Sequence, residues 1–285
     1  MKKAAASICL AAALAVTLAG CASGSDAGTA SGGTKSSSAG PAGLIHPGKL
    51  TACIDPEYAP LEYYKNGTDG DIVGFDADGI RALAKHWGVQ ADLVVTSFDG
   101  LMPQLQSSAC DVIFGGLYMT DARLQVADAS AVMKAGPTII TTPARAGKIT
   151  SKTDLCGLTV AAQAASSNAL TIKALSDTCT SDGKKAINLV EYPKTAETVL
   201  AVVNGKADAL AETNVAAAYM VTQNKGQLKI APNVLELDTT FGVFSRKGDA
   251  LSPSIASGLA ALRADGTLAG IAKQYGLDPA ITEVK

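Results

Sequence analysis

From about residue 47 to the end, the chain repeats one pattern: a short apolar run, then a stretch with helical apolar spacing, then another apolar run. Residues 50–54 read as a strand. Ile80, Leu83, Ala84 and Trp87 recur at i, i+3, i+4 and i+7 and stop at Gly88, as an amphipathic helix with a glycine cap does. Residues 93–95 read as the next strand, Leu101, Met102 and Leu105 as a short helix, and 111–114 as a third strand. The extended run 138–142 leads into a second set: strands at 158–162, 187–190 and 209–211, with a helix at Val199, Leu200 and Val203 stopped by Gly205. A strand at 241–245 and a helix face of Ile255, Leu259 and Leu262 follow. Such alternation implies α/β architecture with mostly parallel sheets flanked by helices and loops available for binding at the strand ends. About 239 residues in two similar units exceed what one core usually holds.

Composition narrows the function. Hydrophobic residues make up 47% of the chain and charged ones 18%, so disorder is excluded as the main state. A net charge of −2 offers no basic footprint, and no nucleic-acid partner is expected. Lys2 and Lys3 precede a run of small and apolar residues, 4–19, too short to span a bilayer, so residues 1–20 read as an export signal. It ends in Leu18-Ala19-Gly20-Cys21, which resembles the lipobox of bacterial lipoproteins. That resemblance implies cleavage before Cys21, acylation of its thiol, and anchoring at the extracellular face of the cell membrane. Residues 22–43 are almost entirely Ala, Ser, Gly and Thr, and 21–46 is expected to be a disordered tether.

Cys53, Cys110, Cys156 and Cys179 then remain in an oxidising context, where four cysteines allow three pairings. Local pairing within each segment, Cys53–Cys110 and Cys156–Cys179, is the expected choice. With His46 and His86 the only histidines and no CxxC spacing, no metal site is expected. No cofactor is implied either.

Several motifs now stand in order: Asp55-Pro56-Glu57-Tyr58-Ala59-Pro60-Leu61-Glu62, Gly74-Phe75-Asp76, Phe98-Asp99-Gly100-Leu101-Met102-Pro103-Gln104-Leu105, Thr120-Asp121-Ala122-Arg123 and Arg263-Ala264-Asp265-Gly266-Thr267. From about residue 50 to 277 the chain resembles the extracellular solute-binding proteins (family 3 type) of bacterial ABC importers for polar amino acids. The resemblance implies a two-lobe, periplasmic-binding-protein-like fold of type II. Lobe 1 would be 47–136 and 239–285 and lobe 2 would be 137–238, joined by two crossing hinge strands. It implies a monomeric, non-enzymatic substrate-binding lipoprotein that captures a small polar or cationic amino acid by hinge closure and delivers it to a membrane permease. A binder of an N-substituted or cyclic compatible solute, or a dehydratase on the same fold, is the alternative.

The resemblance also assigns site residues. Arg123 matches the arginine that grips the ligand carboxylate, for which a planar guanidinium is suited. Tyr58 and Phe98 match rings that wall the ligand, although Phe98 could equally serve the core. Asp55 could read the ligand side chain or merely cap a turn. Gly116 and Tyr118 fall in a stretch where the family usually has a hydroxyl residue. Ser166 and Ser167 fall where the family has a glycine and two threonines at a helix start, which favours an anion, while an ordinary N-cap is the bland reading. Ala165 replaces that glycine. Thr213 stands where the family carries the aspartate that binds the ligand ammonium, and Glu212 is one residue earlier, so either one could face the cleft.

Overall fold

The structure, a computed structural model, describes residues 40–236 and 238–284. The first part of the chain supplies β1 (Lys49–Ile54), β2 (Glu57–Tyr58), β3 (Glu62–Tyr64), β4 (Ile72–Val73), α1 (Phe75–Trp87), β5 (Gln90–Val95), α2 (Leu101–Gln106), β6 (Val112–Ile113), α3 (Asp121–Val126) and β7 (Ala127–Ala135). Next come β8 (Pro137–Thr141), α4 (Pro143–Ala146), β9 (Thr159–Gln163), α5 (Ser167–Ser181), β10 (Asn188–Tyr192), α6 (Thr195–Val203), β11 (Ala209–Thr213), α7 (Asn214–Gln223) and β12 (Lys229–Ala231). The chain ends with β13 (Thr239–Arg246), α8 (Ser252–Ala264) and α9 (Thr267–Gln274).

Two five-stranded sheets organise these elements, in the orders β5-β1-β6-β13-β7 and β10-β9-β11-β8-β12. The parallel character expected of each sheet holds for its first three strands. The other two join antiparallel, so both sheets are mixed. The physical reason lies in the path of the chain. It leaves the first sheet through β7, enters the second through β8 after the single residue Gly136, and returns from β12 to β13. At the crossing, Gly136 N–H donates to Asn214 Oδ1 (3.0 Å) and Asn214 N–H donates to the Gly136 carbonyl (2.9 Å).

Both faces of each sheet are covered, which explains the near-continuous apolar runs of the strands. Along β1, Leu50, Ala52 and Ile54 pack in a core with α1 and α8 residues, while Cys53 points to the opposite core with Leu101, Leu105 and Phe244. In the second sheet Ile139, Ala209 and Ala211 face one core, and Ile140 and Leu210 the other. Helix α1 ends at Gly88 in the left-handed conformation, as its spacing requires.

Residues 40–46 depart from the expected tether. Leu44, one of the two large apolar residues in 22–46, packs on the first core, and Ile45 N–H donates to Asp111 Oδ1 (2.7 Å). The export signal, Cys21 and the tether to residue 39 lie outside the described residues.

Disulfides join Cys53 to Cys110 and Cys156 to Cys179, the local pairing expected from the sequence, each with a Cα separation of 5.6 Å. They span 57 and 23 positions, for which loop entropy alone contributes about 4 and about 3 kcal/mol. Replacing the first pair by alanine should therefore lower the unfolding free energy more than replacing the second. Urea denaturation checks this, and equal losses would contradict the loop-entropy account.

Candidate functional site

Strands β1, β5 and β6 run parallel, so the loops after them emerge on one side of the first sheet; β9 and β11 do the same in the second. Tyr58, Phe98, Gly116, Tyr118, Arg123, Ser166, Ser167, Glu212 and Thr213 line one cavity between the sheets, and thus all the expected site residues except Asp55 meet there. Its free space is about 20 Å³, close to that of one water. Asp55 lines a neighbouring cavity of about 350 Å³ together with Glu57, Asp99 and Lys194. Phe98 walls both.

β11 ends at Thr213, whose hydroxyl caps α7 by accepting from Ala216 N–H (3.3 Å), so the alternation of a continuing strand stops there and both Glu212 and Thr213 line the cavity. Glu212 Oε1 accepts from Tyr58 O–H (2.8 Å) and from Thr213 N–H (2.7 Å), and the Thr213 hydroxyl lies 2.6 Å from Tyr58 Oη. These bonds tie the first-sheet side of the cleft to the second. Glu212 is 4% exposed, and burial lifts its carboxyl to about 7 despite those donors.

Arg123 sits in α3, whose N-cap Thr120 accepts the Arg123 N–H. Its guanidinium donates from Nη1 to the Tyr118 carbonyl (3.0 Å), and among the described residues no carboxylate pairs with it. Burial lowers its pKa to about 10. Tyr118 stacks on Phe241 at 5.1 Å between centroids, with its hydroxyl beside the Asn168 side chain, whose Oδ1 is buried without a hydrogen-bond partner among the described residues. Asp55, 8% exposed, is raised to about 6, first by burial and then by Glu57.

Ser166 takes the bland role: its hydroxyl caps α5 by accepting Ala169 N–H, and its own N–H is used by the Gln163 carbonyl. The N–H groups at this helix start that have no acceptor among the described residues are instead those of Ser167 and Asn168. Asn168 was missed from sequence, although it closes the Gln163-to-Asn168 stretch; a polar residue in the first turn was the available signal. Lys194 was also missed, since its pairing with Glu57 across 137 positions leaves no local trace.

The chain belongs to the class of two-sheet binding proteins with a ligand cleft between the sheets. It is a member of the bacterial extracellular solute-binding proteins, family 3, whose model matches residues 50–278. It is 26% identical over 245 residues to the arginine-binding protein ArgT of Corynebacterium glutamicum, covering 85% of this chain and 79% of that one. Among solved structures it resembles an ancestral arginine-binding protein bound to arginine (TM-score 0.72, 27% identity, 80% of this chain and 98% of the other). It also resembles the Streptococcus pneumoniae amino acid ABC transporter substrate-binding protein AbpA bound to L-arginine (TM-score 0.72, 27% identity, 84% and 97%). These relatives are binding proteins by name, and the chain is a binding protein rather than an enzyme.

Two residues in the left-handed region give a test of the local geometry. Gly116 (φ +59°) lies under the Tyr58 ring, and an added Cβ would sit 2.8 Å from Tyr58 Cε1. Ala165 (φ +60°) adopts the conformation that its glycine counterpart in the family would adopt without strain. Gly116→Ala should lower the unfolding free energy by about 1–3 kcal/mol. Ala165→Gly should raise it by up to about 1 kcal/mol. Chemical denaturation of both variants reads the two opposite signs.

Proposed function

We propose that the protein captures a basic amino acid, with arginine the first candidate, in the cleft between lobe 1 (47–136 and 239–285) and lobe 2 (137–238), and hands it to an ABC permease. The observation that carries this reading is a buried cation, Arg123, and a buried carboxylate, Glu212, lining one cavity, each without a partner of opposite charge among the described residues. An unpaired buried charge is costly, and a zwitterion supplies both missing partners at once. The ligand carboxylate takes Arg123 with the Ser167 and Asn168 N–H groups, and its ammonium takes Glu212 through Oε2. Asn168 Oδ1 stands ready for a remaining hydrogen bond. The side chain passes Phe98 into the larger cavity, where Asp55, Glu57 and Asp99 outnumber Lys194 and favour positive charge. The arginine-binding relatives support the same class.

With only about 20 Å³ of free space around Arg123 and Glu212, a ligand enters when the lobes part and is held when they close. A quaternary or ring-substituted nitrogen has fewer N–H groups to give Glu212, which favours a primary ammonium over a compatible solute. The membrane anchor rests on the lipobox: Cys21 is the acylated first residue of the mature chain, at the extracellular face of the membrane. Mass spectrometry of the mature protein should find a diacylglyceryl or triacyl adduct on Cys21, and a free Cys21 thiol would reject the anchor.

Calorimetry with arginine, lysine, histidine and glycine betaine tests the ligand class, with arginine expected to bind most tightly. Arg123→Ala should weaken that binding by about 2–5 kcal/mol. Since Glu212 must be ionised to hold an ammonium and titrates near pH 7, affinity should rise with pH. The change should be about tenfold per unit below pH 7, flattening above it and vanishing in Glu212→Gln. Unchanged affinity in Arg123→Ala, or tightest binding of betaine, would overturn the reading.

A further inference from the structure

Directly behind the cleft wall lie two carboxylates that ligand binding does not use. Glu62 on β3 is 1% exposed and Asp76 in the first turn of α1 is 2% exposed. Glu62 Oε2 and Asp76 Oδ2 are buried with no hydrogen-bond partner among the described residues. Their surroundings make this arrangement difficult for two anions. The charges that act on Glu62 are those of Asp76 and of Asp55 at the end of β1, all of the same sign. From β2, Glu57 is engaged with Lys194; on α1, Asp78 is engaged with Arg81. Among the described residues no Lys, Arg or His pairs with either carboxylate.

The pair is forced together by backbone packing. Gly74 (φ +123°) lies so close to the chain at Leu61 that an added Cβ would sit 2.2 Å from the Leu61 carbonyl oxygen, and Asp76 N–H donates to that same carbonyl (2.8 Å). Phe75 N–H donates to the Pro60 carbonyl (3.1 Å). These contacts set residues 60–62 against 74–76. On the cleft side, the Asp55 N–H donates to Glu62 and the Gly116 N–H donates to Asp76. Each acid thus holds the backbone of one residue lining the two cavities.

Two buried carboxylates with unpartnered oxygens and no cation are satisfied by a proton, as like charges in one site cannot both ionise cheaply. We propose that Glu62 and Asp76 are positioning residues that retain a proton between them at neutral pH. In that state they fix the Asp55 and Gly116 backbones that shape the cleft. Burial raises Asp76 to about 7, and burial together with the charges of Asp76 and Asp55 holds Glu62 well above the ordinary carboxylate range. The positioning role rests on the ligand reading above; the retained proton does not.

The folded protein holds a proton that the unfolded chain has released once pH exceeds the ordinary carboxylate range. Stability from this source is complete at low pH and falls as pH rises, about tenfold in the folding constant per unit per proton, until the folded pair titrates. Glu62→Gln mimics the protonated acid: its amide oxygen can still accept Asp55 N–H, and its NH₂ stands in for the protonated oxygen without carrying charge. Chemical denaturation from pH 4.5 to 8, without amino acid, should show wild type losing stability more steeply than Glu62→Gln. Asp76→Asn should flatten the curve likewise, and the double variant should add no more than the larger single effect. Parallel curves for wild type and Glu62→Gln would overturn the proposal. Should either variant fail to fold, ¹³C-carboxyl NMR of the wild-type protein decides: ordinary titration of both groups near pH 4 would equally overturn it. Arginine affinity measured beside these melts separates the two readings. A flattened curve with no arginine binding sinks the ligand assignment alone, whereas parallel curves with intact binding sink the retained proton alone.

Discussion

Strand β1 lies between β5 and β6 with Leu50, Ala52 and Ile54 in one core and Cys53 in the other, so neither face can turn to water. Burial of both faces pins the strand's register, because a slip of one residue would exchange the two faces and place Thr51 among the large side chains of the first core. With the register set, the parallel neighbours end at one level and their loops emerge together. Asp55, Thr96 to Phe98 and Gly115 to Tyr118 owe their proximity to that constraint. β9 and β11 repeat it in the second sheet, delivering Ser167 and Glu212 to the opposite wall.

The cleft is built from groups that the fold leaves electrostatically unfinished. Arg123 spends one donor on the Tyr118 carbonyl, and Glu212 takes only neutral donors from Tyr58 and Thr213. The opposite displacements of their pKa values, down to about 10 and up to about 7, express one physical fact: each charge is buried without a counter-charge among the described residues. By contrast, Arg263 of the terminal motif donates to the Thr282 and Ala131 carbonyls and ties α8 to β7, away from the cleft. Motifs of the same family therefore serve different purposes, some lining the site and others holding the lobe that carries it.

Tyr58 shows how one residue couples packing to recognition. Its ring lies against Gly116 and packs on cores of both sheets, while its hydroxyl reaches Glu212 and Thr213. The Glu57–Lys194 ion pair joins the same two walls at 2.5 Å. Being exposed, that pair contributes little to stability compared with the buried hydroxyl contacts.

Much of the architecture was legible in local pattern. Helix α1 followed from its 3.6-residue spacing and Gly88, and most sheet strands from short apolar runs, because both faces of each sheet are buried. β7 was not, since Ala127–Ala135 is mostly small residues with little strand preference; its pairing with β13 supplies the structure. The family motifs likewise marked Arg123, Tyr58, Phe98 and Tyr118 as chemistry-bearing. Other choices lay beyond the sequence. That Glu212 and Thr213 both reach the cavity depends on β11 ending where α7 begins. That Ser167 and Asn168, rather than Ser166, offer free N–H groups depends on which donors the cap has already used. The unpartnered state of Glu62 and Asp76 depends on segments brought together by Gly74. Local spacing determined which elements form and which side chains carry charge or donors; only tertiary packing decided which of those groups remain unpaired, because pairing is settled by neighbours distant in the chain.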